Sequence, residues 1–162
     1  MLIIIEGNEG VGKTTLINQM EEKIPFIRVK YPKEIKDTYL VLDSFAMSNQ
    51  IFVLDRSFIS DIVYRTLDHQ KGQMNLFQIG RLTGRTNDIK IVFCHNENGF
   101  LNAITRGENN ITTESKYKII ENGFYVIEEL MKCFTDIEIF DYDYEYDSVD
   151  DVIEFIKGGN KV

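Results

Sequence analysis

The segment with the clearest chemistry is the octapeptide GNEGVGKT, which fits the pattern G-x-x-x-x-G-K-[ST]. Its glycines let the backbone turn so that consecutive N–H groups face inward, where they can hold phosphate oxygens. In this pattern the Lys13 ammonium can reach the β- and γ-phosphates of a nucleotide, and the Thr14 hydroxyl can ligate Mg²⁺. We therefore predict a nucleoside triphosphate site made of the residues Gly7, Asn8, Glu9, Gly10, Val11, Gly12, Lys13, Thr14 and Thr15.

Glu9 is an unusual residue inside such a loop. A carboxylate near bound phosphates is unfavourable unless it faces away from them, because like charges repel. Two interpretations are equally open. The side chain can accept a hydrogen bond from the hydroxyl of an acceptor molecule, or it can point to solvent.

A second group of polar residues follows the apolar stretch Ile51–Asp55, sequence IFVLD, which predicts a short buried strand. In open α/β sheets, ligands bind at the carboxyl ends of the strands. If this strand neighbours the one before the glycine-rich loop, Asp55 can hold Mg²⁺ through water or orient an attacking hydroxyl. Arg56 can then offer forked donors to a phosphate. Alternatively, the Asp-Arg pair only caps the helix that Ser57 begins.

The use of the terminal phosphate separates three classes of protein that share this loop: GTPases, ATP-driven motors and small-molecule kinases. A GTPase should carry an Asn-Lys-x-Asp guanine-binding motif after a strand, but here IKIVFC is followed by HNENG. A large motor would need more than the 162 residues of this chain. The phosphate-binding loop, the carboxylate and the arginines together favour a kinase.

Strand-like and helix-like stretches alternate along the chain, which indicates a parallel sheet covered by helices. The predicted strands are Leu2–Glu6, Phe26–Tyr31, Ile51–Asp55, Ile89–Cys94 and Asp136–Asp143. The predicted helices are Lys13–Lys23, Ile35–Met47, a helix after Ser57, Gln73–Leu82, Gly99–Arg106, Glu114–Phe134 and Val149–Lys157. The sequence therefore predicts a three-layer α/β fold, with a five-stranded parallel sheet and helices on both faces, in one domain spanning 1–162.

The composition of the chain limits the kinds of binding partner that we expect. The net charge of −8 disfavours binding to duplex DNA, which usually needs a basic face, although it does not exclude a local nucleic-acid site. Cys94 and Cys133 lie far apart without CxxC spacing, so we expect neither a disulfide nor a metal site from them. The sequence shows no signal-peptide pattern and no run of about 18 apolar residues. We therefore expect a cytoplasmic protein without a membrane partner.

These motifs resemble those of the thymidylate kinase family. IEGNEGVGKTT is similar to that family's first strand and phosphate-binding loop, including the glutamate within the loop. DRSFISDIVYR resembles the family's Asp-Arg segment and the following helix, although Arg65 stands where glutamine is usual. TRGE resembles the start of the mobile lid, which we place at residues 99–115. The resemblance implies the P-loop kinase form of the predicted fold. Deoxynucleoside kinases are relatives that carry Glu-Arg-Ser in place of Asp-Arg-Ser.

The resemblance also implies roles for individual residues. Asp55 would orient the acceptor or the metal ion, and Arg56 would bind the acceptor's phosphate and the transferred group. Tyr64 would lie near the acceptor's sugar or base. Arg106 would move in from the lid and supply the arginine that the glutamate-containing loop lacks. The expected sets are catalytic residues Lys13, Asp55, Arg56 and Arg106; acceptor-binding residues Glu9, Asp55, Arg56, Ser60 and Tyr64; and metal ligands Thr14 and Asp55.

Two features depart from the family. The segment between Tyr31 and Ile51 has room for one helix, where the family has two or more helices that grip the nucleotide base. The lid carries Asn109 and Asn110 and no second arginine. A reduced acceptor wall is consistent with an altered or larger acceptor, such as a hydroxymethylated base.

The predicted activity is transfer of a phosphoryl group from ATP, with Mg²⁺, to a deoxynucleoside monophosphate, dTMP or a modified analogue, giving the diphosphate. One alternative is a P-loop kinase that phosphorylates a hydroxyl of a nucleoside or a modified base, also within DNA. Another is a nucleotide-binding module without transferase activity. Because the resembled family is often dimeric, the resemblance also implies a homodimer.

Overall fold

The computed structural model describes residues 1–31, 37–68, 74, 76–84, 88–107 and 113–158. The strands within these ranges are β1 Leu2–Glu6, β2 Ile27–Lys30, β3 Phe52–Asp55, β4 Ile89–His95 and β5 Glu138–Asp143. The helices are α1 Lys13–Glu21, α2 Thr38–Ala46, α3 Phe58–Leu67, α4 Leu76–Thr83, α5 Gly99–Thr105, α6 Glu114–Phe134 and α7 Val149–Ile156. The strands form one sheet in the order β2-β3-β1-β4-β5, and every neighbouring pair is parallel.

The central strand β1 is buried on both faces because its side chains alternate between two hydrophobic clusters. One cluster contains Leu2 and Ile4 and is covered by residues of α2, α3, α4 and α6: Leu42, Ile59, Leu82 and Phe124. The other contains Ile3 and Ile5 and is covered by residues of α1 and α7: Leu16, Ile17, Val152 and Ile153. The sheet is therefore the middle of three layers, which confirms the predicted α/β fold class.

The strand register places the end of β3 beside the start of the glycine-rich loop. Ile5 of β1 lies opposite Asp55 of β3. The backbone N–H of Arg56 donates to the Ile5 carbonyl at 3.1 Å, which continues the pairing beyond the strand end. The condition that the sequence left open is thus met: β3 neighbours β1, and the Asp-Arg segment and the loop share one edge of the sheet.

Local hydrogen bonds explain several helix boundaries. The Ser57 hydroxyl accepts from the backbone N–H of Ile59 at 3.1 Å, and Ser148 forms a capping box with Asp151. Helix α1 ends at Glu21, before the predicted Lys23, because the backbone N–H groups that follow fold back onto the Met20 carbonyl. The predicted helix Ile35–Met47 starts at Thr38 in the described part of the chain, since residues 32–36 lie outside it.

The longest described helix, α6, packs closely against α3 through a glycine. A Cβ added to Gly123 would come within 3.0 Å of the Val63 side chain, so the glycine permits this close contact and does not interrupt the helix. No helix of the described residues is both long and apolar enough to cross a lipid bilayer.

Candidate functional site

The glycine-rich loop leads into α1 with its first-turn amides free of any side-chain cap. Its N-cap residue Gly12 has φ 90°, and the first turn of α1 contains no acidic residue. Gly10 has φ 74°, and a Cβ there would lie 2.1 Å from the carbonyl oxygen of Gly99, so the loop packs directly on α5. Thr14 and Thr15 are exposed at this helix end. Uncapped amides, positive partial charge and exposed hydroxyls are what a phosphate group needs.

Lys13 is buried against its own loop. Its ammonium donates to the carbonyl oxygen of Gly7 at 2.9 Å and also to that of Asn8. Burial and, to a smaller extent, the charge of Arg56 lower the pKa of Lys13 to about 8, and the carboxylate of Glu9 opposes this shift. A phosphate bound at the loop would therefore stabilise the charged form of a lysine that ordinary alkaline conditions can neutralise.

A cavity of about 530 Å³ opens beside Gly12 and Thr15, and we call it the donor cavity. It is lined by Gly12, Thr15, Gln19, Asn102, Arg106, Tyr142, Tyr144, Asp147, Ser148 and Val149. The Tyr144 ring covers Gly12, since a Cβ on that glycine would lie 2.9 Å from the ring. The Tyr144 hydroxyl donates to Asn96 Oδ1 at 2.8 Å and accepts from Asn102 Nδ2 at 3.0 Å. This network fixes one aromatic wall of the cavity.

Arg106 lies at the donor cavity, as an exposed residue at the carboxyl end of α5. The predicted lid at 99–115 includes α5, whose Gly99 and Ala103 are buried, and residues 108–112, which lie outside the described residues. The first part of that segment is therefore packed against the rest of the protein. Arg106 itself reaches the cavity that adjoins Gly12 and Thr15.

A second cavity, of about 410 Å³, meets the loop at Glu9, and we call it the acceptor cavity. It is lined by Glu9, Tyr31, Arg56, Ser57, Ser60, Asp61, Tyr64, Arg65, Leu67, Asp68 and Lys116. Four of the five predicted acceptor residues, namely Glu9, Arg56, Ser60 and Tyr64, come together here. The fifth, Asp55, is not among the lining residues.

Arg56 is fixed in the acceptor cavity from several sides. It is the only non-glycine residue with positive φ in the described part of the chain, at φ 69°. Its guanidinium forms an ion pair with Glu9, lies 3.4 Å from Ser60 Oγ and from Tyr64 Oη, and stacks over the Tyr64 ring. A strained backbone that is held by such contacts is typical of a functional position. Glu9 therefore lies in the wall of the acceptor cavity, where its carboxylate holds the Arg56 guanidinium.

The buried carboxylate of Glu6 organises this wall, and the sequence interpretation did not assign it a role. Glu6 is fully buried and accepts from Ser57 Oγ at 2.6 Å, from Ser60 Oγ at 2.6 Å and from the backbone N–H of Ser60 at 3.2 Å. The Ser60 hydroxyl therefore donates its proton to Glu6 and not to a ligand. A charged residue at the end of an otherwise apolar strand was the available signal, because such a group must find partners.

Asp55 has a partner that the sequence did not reveal. Its carboxylate accepts from Arg28 of β2 at 3.1 Å, and the same guanidinium donates to Asn18 Oδ1 at 3.0 Å. Arg28 and Asp55 sit on neighbouring strands, where Val29 and Lys30 pair with Leu54 and Asp55. Carboxylate and hydroxyl oxygens are the ligands that Mg²⁺ prefers, so Asp55 and the exposed Thr14 fit the ion by donor chemistry.

His95 belongs to a charged network outside both cavity linings. Its Nε2 lies 2.9 Å from a carboxylate oxygen of the buried Glu128, and its ring stacks on Tyr125 with centroids 4.9 Å apart. The Lys132 ammonium bridges Glu128 and Asp141, at 3.0 Å from the latter. These contacts connect α6, β4 and β5, so we interpret the network as a structural link between them.

Comparison with known proteins gives structural matches only. No protein-family model matches the chain, and no curated protein matches it. The YorR protein from Bacillus subtilis, crystallised in complex with phosphorylated GDP, is similar with a TM-score of 0.77 at 15% identity, over 97% of this chain and 96% of that chain. Deoxyadenosine kinase from M. mycoides with bound dCTP is similar with a TM-score of 0.60 at 14% identity, over 98% and 100%.

The same deoxyadenosine kinase with dCMP and dCDP bound gives a TM-score of 0.57 at 17% identity, over 98% of this chain and 97% of that chain. These matches extend over nearly the whole length of both chains, so they concern the complete fold and not the loop alone. At such identities the likeness is one of fold. The chain therefore has the three-layer α/β fold of P-loop kinases.

Proposed function

We propose that the chain is a nucleotide kinase that transfers a phosphoryl group from ATP, with Mg²⁺, to a deoxynucleoside monophosphate. The proposed acceptor is dTMP or a modified analogue, and one domain spanning 1–162 would carry the activity. The observation behind the proposal is that two cavities adjoin the phosphate-binding loop. One reaches the loop at Gly12 and Thr15 and the other at Glu9, so two ligands can approach the same loop at different points.

The donor side would hold ATP through backbone amides and cations. The loop and the start of α1 would bind the phosphates, with Lys13 and the exposed Arg106 supplying positive charge. Thr14 and Asp55 would hold Mg²⁺, which neutralises charge on the phosphate oxygens when it is bound. Since phosphoryl transfer depends mainly on positioning and electrostatics, no strong base is required.

The acceptor side would hold the monophosphate through side chains. Arg56 faces the acceptor cavity close to the loop and would bind the acceptor's phosphate, and Tyr64 would lie beside the sugar or base. Glu6 would act indirectly, because its bonds to Ser57 and Ser60 fix the start of α3. This arrangement would bring the acceptor phosphate toward the terminal phosphate of ATP.

The test is incubation with Mg-ATP and a panel of deoxynucleoside monophosphates, deoxynucleosides and DNA containing hydroxymethylated bases, followed by separation of labelled products. We expect a diphosphate from dTMP or a modified analogue, and no product from Lys13→Ala. If ATP binds but no monophosphate is converted, the proposal is wrong. A product that persists with Lys13→Ala would come from a contaminant or from another site.

A second candidate function has one specific observation in its favour. Arg56 is already paired with Glu9, so an acceptor phosphate would have to displace a carboxylate. A nucleoside or base hydroxyl would meet no such competition, and it could instead donate a hydrogen bond to Glu9. In the same panel, this candidate predicts labelled nucleoside or labelled modified DNA, with monophosphates left unchanged.

We also propose that the protein forms a homodimer through α6. Four apolar residues on this helix are substantially exposed and recur at helical spacing: Ile119, Val126, Leu130 and Phe134. An apolar stripe of this kind on a charged protein is typical of a protein interface. Sedimentation should give twice the mass of the 18.9 kDa chain, and Leu130→Asp should give the monomer. A monomeric parent protein would contradict this.

A further inference from the structure

The Tyr31 hydroxyl is a buried polar group for which none of the residues that the structure describes provides a hydrogen-bond partner. Tyr31 is 7% exposed, its Oη is closed to solvent, and no hydrogen bond to it is found. Native proteins pair nearly all buried polar groups, because an unpaired one loses its bonds to water without replacement. The side chain of Tyr31 is at the same time part of the acceptor cavity wall. The missing partner can therefore come from a bound molecule.

The charged groups near Tyr31 are engaged elsewhere. Asp61 forms an ion pair with Arg65 one turn later on α3. Glu6 accepts from Ser57 and Ser60. Burial raises the pKa of Tyr31, the carboxylates of Asp61 and Glu6 raise it further, and Arg65 opposes them. The phenol therefore stays protonated at neutral pH and keeps a proton to donate.

The position of Tyr31 in the sheet indicates which part of an acceptor it would meet. Tyr31 directly follows β2, and β3 separates β2 from β1, which carries the phosphate-binding loop. Two strand spacings amount to about 10 Å, so the backbone of Tyr31 lies about that far across the sheet from the strand that leads into the loop. The reactive phosphate of an acceptor belongs near Glu9 and Arg56 at the loop, and its base belongs near Tyr31.

We propose that the Tyr31 hydroxyl donates a hydrogen bond to a carbonyl oxygen or ring nitrogen of the acceptor's base, and that Tyr31 is a specificity-determining residue. This inference rests on the proposed function, because it assumes a nucleotide or nucleoside in the acceptor cavity. It adds a residue that the Asp-Arg motif does not contain, from the end of a different strand. A base without a hydrogen-bond acceptor at the contacted position would leave the hydroxyl unpaired and bind more weakly.

The test is Tyr31→Phe, which removes only the hydroxyl. The matched control is Tyr117→Phe, because Tyr117 is equally buried but its hydroxyl donates to the Glu9 carbonyl at 3.2 Å. Because Tyr31 has no internal bond to lose, we expect its Tm without ligands to stay constant or rise, whereas Tyr117→Phe lowers it. Acceptor affinity by calorimetry should fall about 5- to 100-fold in Tyr31→Phe, with ATP affinity unchanged.

Three outcomes separate this inference from the proposed function. If the parent protein phosphorylates an acceptor and Tyr31→Phe binds it equally well, the inference is wrong and the proposed function stands. If the parent protein binds an acceptor through Tyr31 but makes no product, the inference stands and the proposed function is wrong. If no monophosphate, nucleoside or base analogue of the panel binds, both are wrong. A base analogue that lacks the contacted atom should bind the parent protein and Tyr31→Phe equally.

Discussion

The two cavities beside the phosphate-binding loop differ in whether backbone or side-chain groups would contact a ligand. Where the loop meets the donor side, the site consists of backbone: glycines with positive φ, uncapped amides at the start of α1, and a loop packed on α5. The acceptor side consists of side chains that bind one another, such as Glu9 with Arg56 and Glu6 with Ser57. A site made of backbone holds any polyphosphate, whereas a site made of side chains can be specific for one acceptor.

The largest effect is expected where the backbone site depends on one side chain. Lys13→Met removes the buried ammonium next to the Gly7 carbonyl and should reduce transfer about 10²- to 10³-fold. Steady-state kinetics with saturating acceptor would measure this, and calorimetry should show acceptor binding retained. The control is Lys23→Met, just beyond the end of α1, since Lys23 forms an ion pair with the exposed Asp150. Equal losses in both variants would contradict a special role for Lys13.

The backbone character of the donor side can be tested with two glycines of similar conformation. Gly10 and Gly107 have φ 74° and φ 69°, but a Cβ at Gly10 would meet the Gly99 carbonyl at 2.1 Å and one at Gly107 would meet nothing within 4 Å. Gly107→Ala should lower the free energy of unfolding by about 1–2 kcal/mol. Gly10→Ala should lower it by about 2–5 kcal/mol, because overlap with backbone adds to the strain.

Denaturant unfolding of the two glycine variants, with and without ATP, gives the comparison. ATP should stabilise Gly107→Ala as much as it stabilises the parent protein, and Gly10→Ala less. A similar loss of stability in both variants would mean that the loop can move away from α5, so that the donor side is less rigid than the structure indicates.

The ion pair between Glu9 and Arg56 on the acceptor side predicts a smaller effect, which is a gain in acceptor affinity and not a loss. Glu9→Gln keeps the size of the side chain but removes the charge that holds Arg56. A dianionic acceptor then meets one negative charge fewer, so its affinity should rise about tenfold, while the affinity for an uncharged nucleoside should not. Calorimetry with a monophosphate and its nucleoside measures both. Weaker binding of the monophosphate would show that Glu9 positions Arg56 and does not compete for it.

The smallest effect is a pH dependence of the donor side. Because the pKa of Lys13 in the folded protein is about 8, the lysine is charged below this pH and loses its proton above it. ATP affinity should therefore be constant below pH 7 and fall about fourfold between pH 7 and pH 8.5. Lys13→Met should show no such fall. Acceptor binding, for which we propose Arg56, should also lack it.

The lowered pKa of Lys13 also determines whether its contribution to the free energy of unfolding rises or falls with pH. The ordinary pKa of lysine is 10.5, so between pH 8 and pH 10.5 the unfolded chain binds more protons at Lys13 than the folded chain. This group alone makes the free energy of unfolding rise with pH in that window. The difference between the parent protein and Lys13→Met, measured by denaturant unfolding across the window, isolates its contribution.

Much of the fold could be predicted from local patterns. The β1 strand and the loop can be predicted because an apolar run, a glycine pattern and an amphipathic helix are neighbours in the chain. The position of Asp55 beside the loop needed only one assumption, the adjacency of β3 and β1, and the sheet order fulfils it. The roles predicted for Asp55, Arg56, Tyr64 and Arg106 stay predictions, although three of them lie at a cavity.

The sequence by itself determined the phosphate-binding loop, the alternation of strands and helices, and the Asp-Arg segment, because each is coded by residues close together in the chain. The tertiary structure alone decided which groups meet across long distances: Arg28 with Asp55, Glu9 with Arg56, and Tyr144 with Gly12. It also left the Tyr31 hydroxyl buried without a partner among the described residues. Pairing of this kind depends on strand order and helix packing, which bring together residues from distant segments, and no local periodicity records it.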